Sequence, residues 1–158
     1  MSAQLSYLQN KASEAQIAEH LLLCDAGFKP ALSSRVEIGE YAKKIINNSM
    51  RFEAWKGRDL VGLAAMYCND PRNPVAYITS VSVLNEWTGI GIAGVLLNKC
   101  IEYAKANAVW RIDLEVAEDN EPALRLYRKN GFIAGETRGA FTSMSLNLNS
   151  GNTNEQQA

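Results

Sequence analysis

The stretch Val81-Ser82-Val83-Leu84-Asn85-Glu86-Trp87-Thr88-Gly89-Ile90-Gly91-Ile92-Ala93-Gly94-Val95-Leu96-Leu97 changes period in its middle, and that change decides the fold. Before it, residues 75–84 are β-branched and apolar (Val75, Tyr77, Ile78, Thr79, Val81, Val83), the composition of a central strand. From Gly91 onward the period is helical, with Ala93, Leu96, Leu97, Cys100, Ile101 and Ala104 on one side. Gly89 and Gly91 stand at the reversal. Without side chains there, several backbone N–H groups converge at a helix start, where the peptide dipoles favour an anion. A pyrophosphate suits such a turn, although Gly-x-Gly is also plain turn chemistry. Two familiar phosphate motifs are excluded: no Gly-Lys-Ser/Thr ending follows, and Gly94 arrives too early, already inside the helix, for a Rossmann fingerprint.

Upstream, Leu5–Asn10 alternates weakly as a first strand, and Ser13 is an N-cap for a helix carrying Ile17, Leu21 and Leu22, with Leu23 adjoining. Gly27 stops that helix. A second helix is predicted over Ile38–Asn48, with Tyr41, Ile45 and Ile46 on one face. Met50–Lys56 and Leu60–Cys68 then form a hairpin about Gly57-Arg58, and Asn69–Pro74 is a loop because its two prolines deny both helix and ladder. Downstream come a strand at Arg111–Val116 and a helix at Asn120–Asn130 with Pro122 in its first turn, closed by Asn130-Gly131. Phe132–Ala134 and Thr142–Leu148 are the last strands, joined by a short connection at Gly135–Ala140. The order is strand, two helices, three strands, helix, strand, helix, two strands. A meander followed by β-α-β units implies an α/β domain: a mixed, largely antiparallel sheet flanked by helices.

The chain has 158 residues, an ordinary length for one domain, with 16 basic against 17 acidic side chains. No basic stripe points to nucleic acid, and no apolar run is long enough for a bilayer. The N-terminus has no signal-peptide pattern, and Cys24, Cys68 and Cys100 are too scattered for a disulfide framework or a zinc site. They read as buried thiols of a reducing compartment, so a cytoplasmic setting without nucleic acid, membrane or metal is expected. Residues 149–158 are polar and apolar-poor, a flexible tail beyond a single domain at 1–148. The open edges of a mixed sheet fit a monomer or a homodimer.

Two segments together resemble the GNAT superfamily of N-acetyltransferases. Its central motif, Gln/Arg-x-x-Gly-x-Gly/Ala, is similar to Glu86-Trp87-Thr88-Gly89-Ile90-Gly91. Its later motif, Asn followed by Ala-x-x-Leu/Phe-Tyr-x-x-x-Gly-Phe, is matched by Asn120, Ala123, Leu126, Tyr127, Gly131 and Phe132 without insertion. Glu86 departs from the pattern, since a carboxylate repels a pyrophosphate at close range. Glu86 is therefore expected to point away and leave the grip to the backbone.

The resemblance implies acetyl-CoA as cosubstrate. Its diphosphate would lie on Thr88, Gly89, Ile90, Gly91, Ile92 and Ala93, and its pantetheine arm along Val81, Ser82 and Val83. Asn120 would cap its helix, bond the arm, or do both. Tyr127 is the expected acid that meets the departing thiolate, with packing under the sheet as the alternative. Glu115, in a Leu-Glu-Val context similar to the ribosomal-protein N-terminal acetyltransferase branch, is the leading general base. Glu118, Asp119 and Glu53 are weaker options for that base, with solvated side chains as the alternative, and His20 is read as a surface or packing residue. Tyr41, Trp55, Tyr77, Arg138 and Phe141 are candidates to line an acceptor cleft that the short final connection leaves open. The implied reaction is direct transfer to a primary amine, small or peptidic, in a ternary complex. A non-catalytic acyl-CoA-binding regulatory module is the alternative.

Overall fold

The computed structural model describes residues 4–148 except Lys29, Asn69 and Pro71, so the tail expected at 149–158 lies outside the described residues. In chain order the elements are β1 (Leu5–Gln9), α1 (Glu14–Cys24), α2 (Ile38–Asn48), β2 (Met50–Lys56), β3 (Asp59–Tyr67), β4 (Val75–Val83), α3 (Ile92–Ala106), β5 (Arg111–Ala117), α4 (Glu121–Lys129), β6 (Ile133–Arg138) and β7 (Phe141–Asn147), with short 3-10 turns at Asp25–Gly27, Leu32–Ser34 and Asn85–Trp87. The strands form one seven-stranded sheet in the order β1-β2-β3-β4-β5-β7-β6. Only the β4–β5 pairing is parallel. The expected mixed, mainly antiparallel sheet with flanking helices is what the chain forms.

Local chemistry sets the helix starts. Ser13 and Gln16 close a reciprocal capping box on α1, and the Glu37 carboxylate caps α2 by accepting from the N–H groups of Gly39 and Glu40. On α1 the buried stripe is Ile17, His20, Leu21 and Cys24, whereas Leu22 and Leu23 are exposed. Residues three and four apart share a helix face, and Leu22 and Leu23 turn off it. The connection expected at Gly135–Ala140 is mostly strand: β6 runs to Arg138, and Gly139, with a φ of +59°, makes the turn with Ala140. Cys24 and Cys100 are buried thiols, but Cys68 is only half-buried.

The sheet is covered on both faces. Phe52, Ala54, Ala64 and Met66 pack with α3 and α4 on one side, while Trp55, Leu60, Leu63 and Ala65 pack with α1 and α2 on the other. Glu53, expected in solvent, is fully buried. Its carboxylate accepts from the N–H groups of Lys11 at 3.0 Å and Ala12 at 3.1 Å and from Trp55 Nε1 at 3.0 Å, with Arg51 Nε 3.5 Å away. Those partners replace lost hydration and fasten the β1–α1 junction to β2. Alternation along β2 gave no hint of partners contributed by a loop some forty residues earlier.

Two irregularities shape the middle of the sheet. Along β3 and β4 the register passes from Ala65↔Ser80 to Met66↔Ile78, so Thr79 is an extra, bulged residue. β4 then pairs with β5 only at Val75↔Arg111, Ala76↔Ile112 and Tyr77↔Asp113. Beyond those pairs the two strands separate. Gly62 on β3 lets α3 press close, since a Cβ there would lie 2.8 Å from Ile92 Cγ2 and 3.2 Å from Ala54 Cβ. We expect Gly62→Ala to lower unfolding free energy by about 1–3 kcal/mol, as overpacking does. A reduced urea midpoint checks this; an unchanged midpoint would mean that α3 yields without cost.

Candidate active site

Two adjoining hollows open where β4 and β5 part. The larger, about 590 Å³, runs beside Val81, Ser82 and Val83 of β4, between the end of α1 at Leu23-Cys24 and Thr88. The smaller, about 110 Å³, lies between β4 and β5 and is bounded by Glu115, Tyr127, Ser80 and Phe141. Phe28, Val81 and Asn120 border both, so the hollows adjoin. Because β4 has lost its partner beyond Tyr77, its backbone groups on that side are free to bond an extended ligand.

The turn into α3 is held by backbone geometry. Gly89 and Gly91 have φ of +86° and +92°, a region costly for L side chains, and an added Cβ at either meets only open space. Gly91 caps α3 without any side-chain hydrogen bond, so the first N–H groups of the helix stay uncapped by side chains. Thr88 donates its hydroxyl to the Asn85 carbonyl at 2.8 Å. Ile90 is exposed, whereas Ile92 is buried in the core and offers the turn only its backbone. Ala93 follows half-buried in the first turn of α3. Glu86 borders a different hollow with His20, Arg58 and Trp87, which shares Leu23 with the one beside Thr88.

Tyr127 projects from α4 to the wall of the smaller hollow. Its ring packs edge-on against Phe132 at 5.7 Å, and among the described residues no hydrogen bond to its phenol oxygen occurs. Burial, and secondarily the neighbouring Cys100, push its phenol well above the ordinary tyrosine range, so it stays protonated. Glu115 reaches the same hollow from β5 with its side chain exposed. Asn120 accepts from Ala123 N at 3.3 Å as the α4 cap while bordering both hollows. Asn120, Glu115 and Tyr127 are thus brought together with Val81, while of the turn residues Thr88 lines the larger hollow and Gly89 to Ala93 line neither.

Of the acceptor-cleft candidates, Phe141 lines the smaller hollow. Tyr41 donates to the Thr79 carbonyl at 2.7 Å, and neither it nor Tyr77 lines that hollow. Trp55 is buried in the α1–α2 core and Arg138 is exposed against Glu136 at 3.1 Å, so neither reaches the hollow.

Three contributors went unforeseen. Ser80 Oγ is buried without a hydrogen-bond partner at the smaller hollow, and Arg35 stands at its rim with its guanidinium 4.8 Å from the centre of the Phe141 ring. His20 is buried, with Nδ1 2.9 Å from the Leu60 carbonyl and Nε2 2.9 Å from Ser82 Oγ. A carbonyl only accepts, so Nδ1 carries the proton and Ser82 donates to Nε2. His20 therefore packs, as one expected reading had it, but also fixes a hydroxyl on the strand beside the larger hollow. The available signal was its spacing from Ile17 and Cys24 on one helix face.

The sequence profile described as "Acetyltransferase (GNAT) family" matches residues 15–132. The chain belongs to the acetyltransferase (GNAT) family. An uncharacterized N-acetyltransferase of Methanocaldococcus jannaschii is 37% identical over 76 residues, which span 46% of this chain and 34% of that protein. The chain thus matches about a third of that relative's length. Among solved structures, the PaiA N-acetyltransferase of Thermoplasma acidophilum in complex with coenzyme A superposes with a TM-score of 0.71 at 17% identity, covering 90% of this chain and 99% of that one. A GNAT acetyltransferase of Elizabethkingia anophelis with acetyl-CoA bound gives 0.69 at 16% identity, covering 91% and 98%. At these identities the likeness speaks for the GNAT fold. No helix among the described residues is long and apolar enough to cross a membrane, and no group of three or more metal-ligating side chains occurs among them.

Burial depresses the pKa of His20 below its ordinary 6.5, outweighing its hydrogen bonds. The native state therefore holds fewer protons than the unfolded chain in this window. Stability should be full above pH 6.5 and fall as acid approaches the lower native pKa. His20→Asn should be less stable at pH 7.5 yet lose less on acidification, which urea midpoints at pH 7.5 and 5 would reveal. Parallel losses in both proteins would assign the acid sensitivity elsewhere.

Proposed function

We propose that this chain transfers the acetyl group of acetyl-CoA to a primary amine by direct attack within a ternary complex. The observation that carries the proposal is the adjacency of the two hollows across the shared walls of Phe28, Val81 and Asn120. A groove along an unpaired strand edge, with a glycine turn and an uncapped helix start beyond it, ends at a small cavity flanked by a carboxylate and a protonated phenol. The Gly89–Ala93 turn suits the diphosphate of CoA, and Val81, Ser82 and Val83 suit its amide-bearing arm. Solved GNAT relatives carrying CoA or acetyl-CoA support the same occupant.

In this reading Glu115 takes a proton from the incoming ammonium, directly or through water, and passes it to solvent. The amine nitrogen then attacks the thioester carbonyl, gives up its second proton to solvent as the C–S bond breaks, and Tyr127 gives its proton to the departing sulfur. The phenol regains a proton from solvent. Its raised pKa fits a donor that must be protonated at the start of each turnover. The buried thiols Cys24 and Cys100 support work in a reducing compartment.

The deciding experiment is thiol release from acetyl-CoA across a panel of primary amines. Acceptor-dependent release supports transfer, whereas tight CoA binding without release would favour the non-catalytic binding module. Tyr127→Phe should lower kcat by about 10²-fold or more, the usual scale of acid catalysis, and affect CoA binding far less. Unchanged turnover would return Tyr127 to packing alone. Gly91→Val should weaken CoA binding in calorimetry, since it forces a disfavoured φ and fills open space at the helix start. Unchanged affinity would count against the diphosphate assignment.

A further inference from the structure

We infer that the acceptor is a small free amino acid, recognised at both ends by Glu115 and Arg35. This inference rests on the reading of the smaller hollow as the acceptor site of an acetyl transfer. At about 30 Å³ for each water in the liquid, a cavity of about 110 Å³ suits a compact head group. A primary amine and a carboxylate on one carbon make such a group.

The polar lining of the hollow is unspent. Arg35 follows the Leu32–Ser34 turn, where its N–H bonds to the Leu32 carbonyl at 2.9 Å, and its exposed guanidinium lies 4.8 Å from the centre of the Phe141 ring. Neither Arg35 nor Glu115 takes part in an ion pair among the described residues, with each other or with a third group. Both side chains line the smaller hollow. The nearby Asp113 is already engaged by Arg111 at 2.8 Å and by the Ser145 hydroxyl at 2.8 Å. Ser80 Oγ, over nine-tenths buried and without a partner, lies in the same hollow.

One cation, one anion and one unmet hydroxyl around a small cavity complement a zwitterion. Glu115 faces the ammonium that must be deprotonated, and Arg35 offers its planar fork to the carboxylate. Other acceptors meet a mismatch. A polyamine or lysine side chain would set a second cation against Arg35, and a peptide N-terminus would set a neutral amide where the carboxylate belongs. Transfer forms the bond between the amino nitrogen and the acetyl carbon and breaks the thioester C–S bond. The nitrogen loses two protons, one balancing the proton that the thiolate gains and one released to solvent, and the products are an N-acetyl amino acid and CoA.

The test compares kcat/KM by thiol release for matched acceptors: an amino acid, its carboxamide, the amine lacking the carboxylate, and a tetrapeptide beginning with the same residue. L-alanine, L-methionine and L-phenylalanine series sample side-chain size. The free acid should be preferred by roughly tenfold or more, the scale of a hydrogen bond to a charged partner. Arg35→Ala should erase that preference, mainly through KM, and Arg35→Lys should restore part of it. Thermal melts check that both variants fold. Equal use of acid and carboxamide, preference for the peptide, or a preference that survives Arg35→Ala overturns the inference and leaves acetyl transfer standing. No release with any acceptor removes acetyl transfer itself, and this inference with it.

Discussion

The lost pairing between β4 and β5 is the constraint on which the rest of this structure depends. Thr79, the extra residue in β4, bends that strand after Tyr77 and is held from the α2 side by the Tyr41 hydroxyl. A parallel pair that continued through Val81 and Val83 would satisfy the backbone internally and leave no edge. The interruption instead leaves strand groups to be met by a ligand and opens the space that Glu115, Asn120 and Tyr127 border. An unpaired buried strand costs stability, and the surrounding core must supply it.

That core does so by fixing both flanks of the gap. Gly62 brings α3 against β3, which sets the helix start just beyond the end of β4. On the opposite face His20 and Glu53 form buried polar anchors, one bonding the Leu60 carbonyl and the Ser82 hydroxyl, the other gripping the N–H groups of Lys11 and Ala12. Both groups have specific partners, so their burial fixes position rather than only adding cost. The groove walls are thereby tied to the sheet on each side, and α1 cannot drift from the strand it faces.

Arg51 Nε, Tyr67 Oη and Ser80 Oγ are buried without a hydrogen-bond partner among the described residues, and of these three residues Ser80 borders the smaller hollow. Buried polar atoms in stable folds have partners, and an isolated one at a cavity wall calls for an explanation outside the fold. Arg35 and Glu115, both exposed, border the same hollow, and neither forms an ion pair among the described residues.

The helices and strands were legible because their signals are local. Ser13 with Gln16, Pro122 after Asn120, the glycines at 89 and 91, and the switch from alternation to helical period each act within a few residues, and each appears where the sequence predicts it. The meeting of Asn120, Tyr127 and Glu115 could be expected because the two motifs sit on elements that this fold joins. Glu53, His20, Ser80 and Arg35 were misread or passed over for one physical reason. Whether a polar side chain is solvated, buried with partners, or buried without them depends on what arrives from distant parts of the chain. The sequence by itself determined the element order, the mixed sheet and the glycine turn. Only the tertiary structure decided where the sheet opens and which charges border the opening, because a single bulged residue and a close helix contact set distances that no local period encodes.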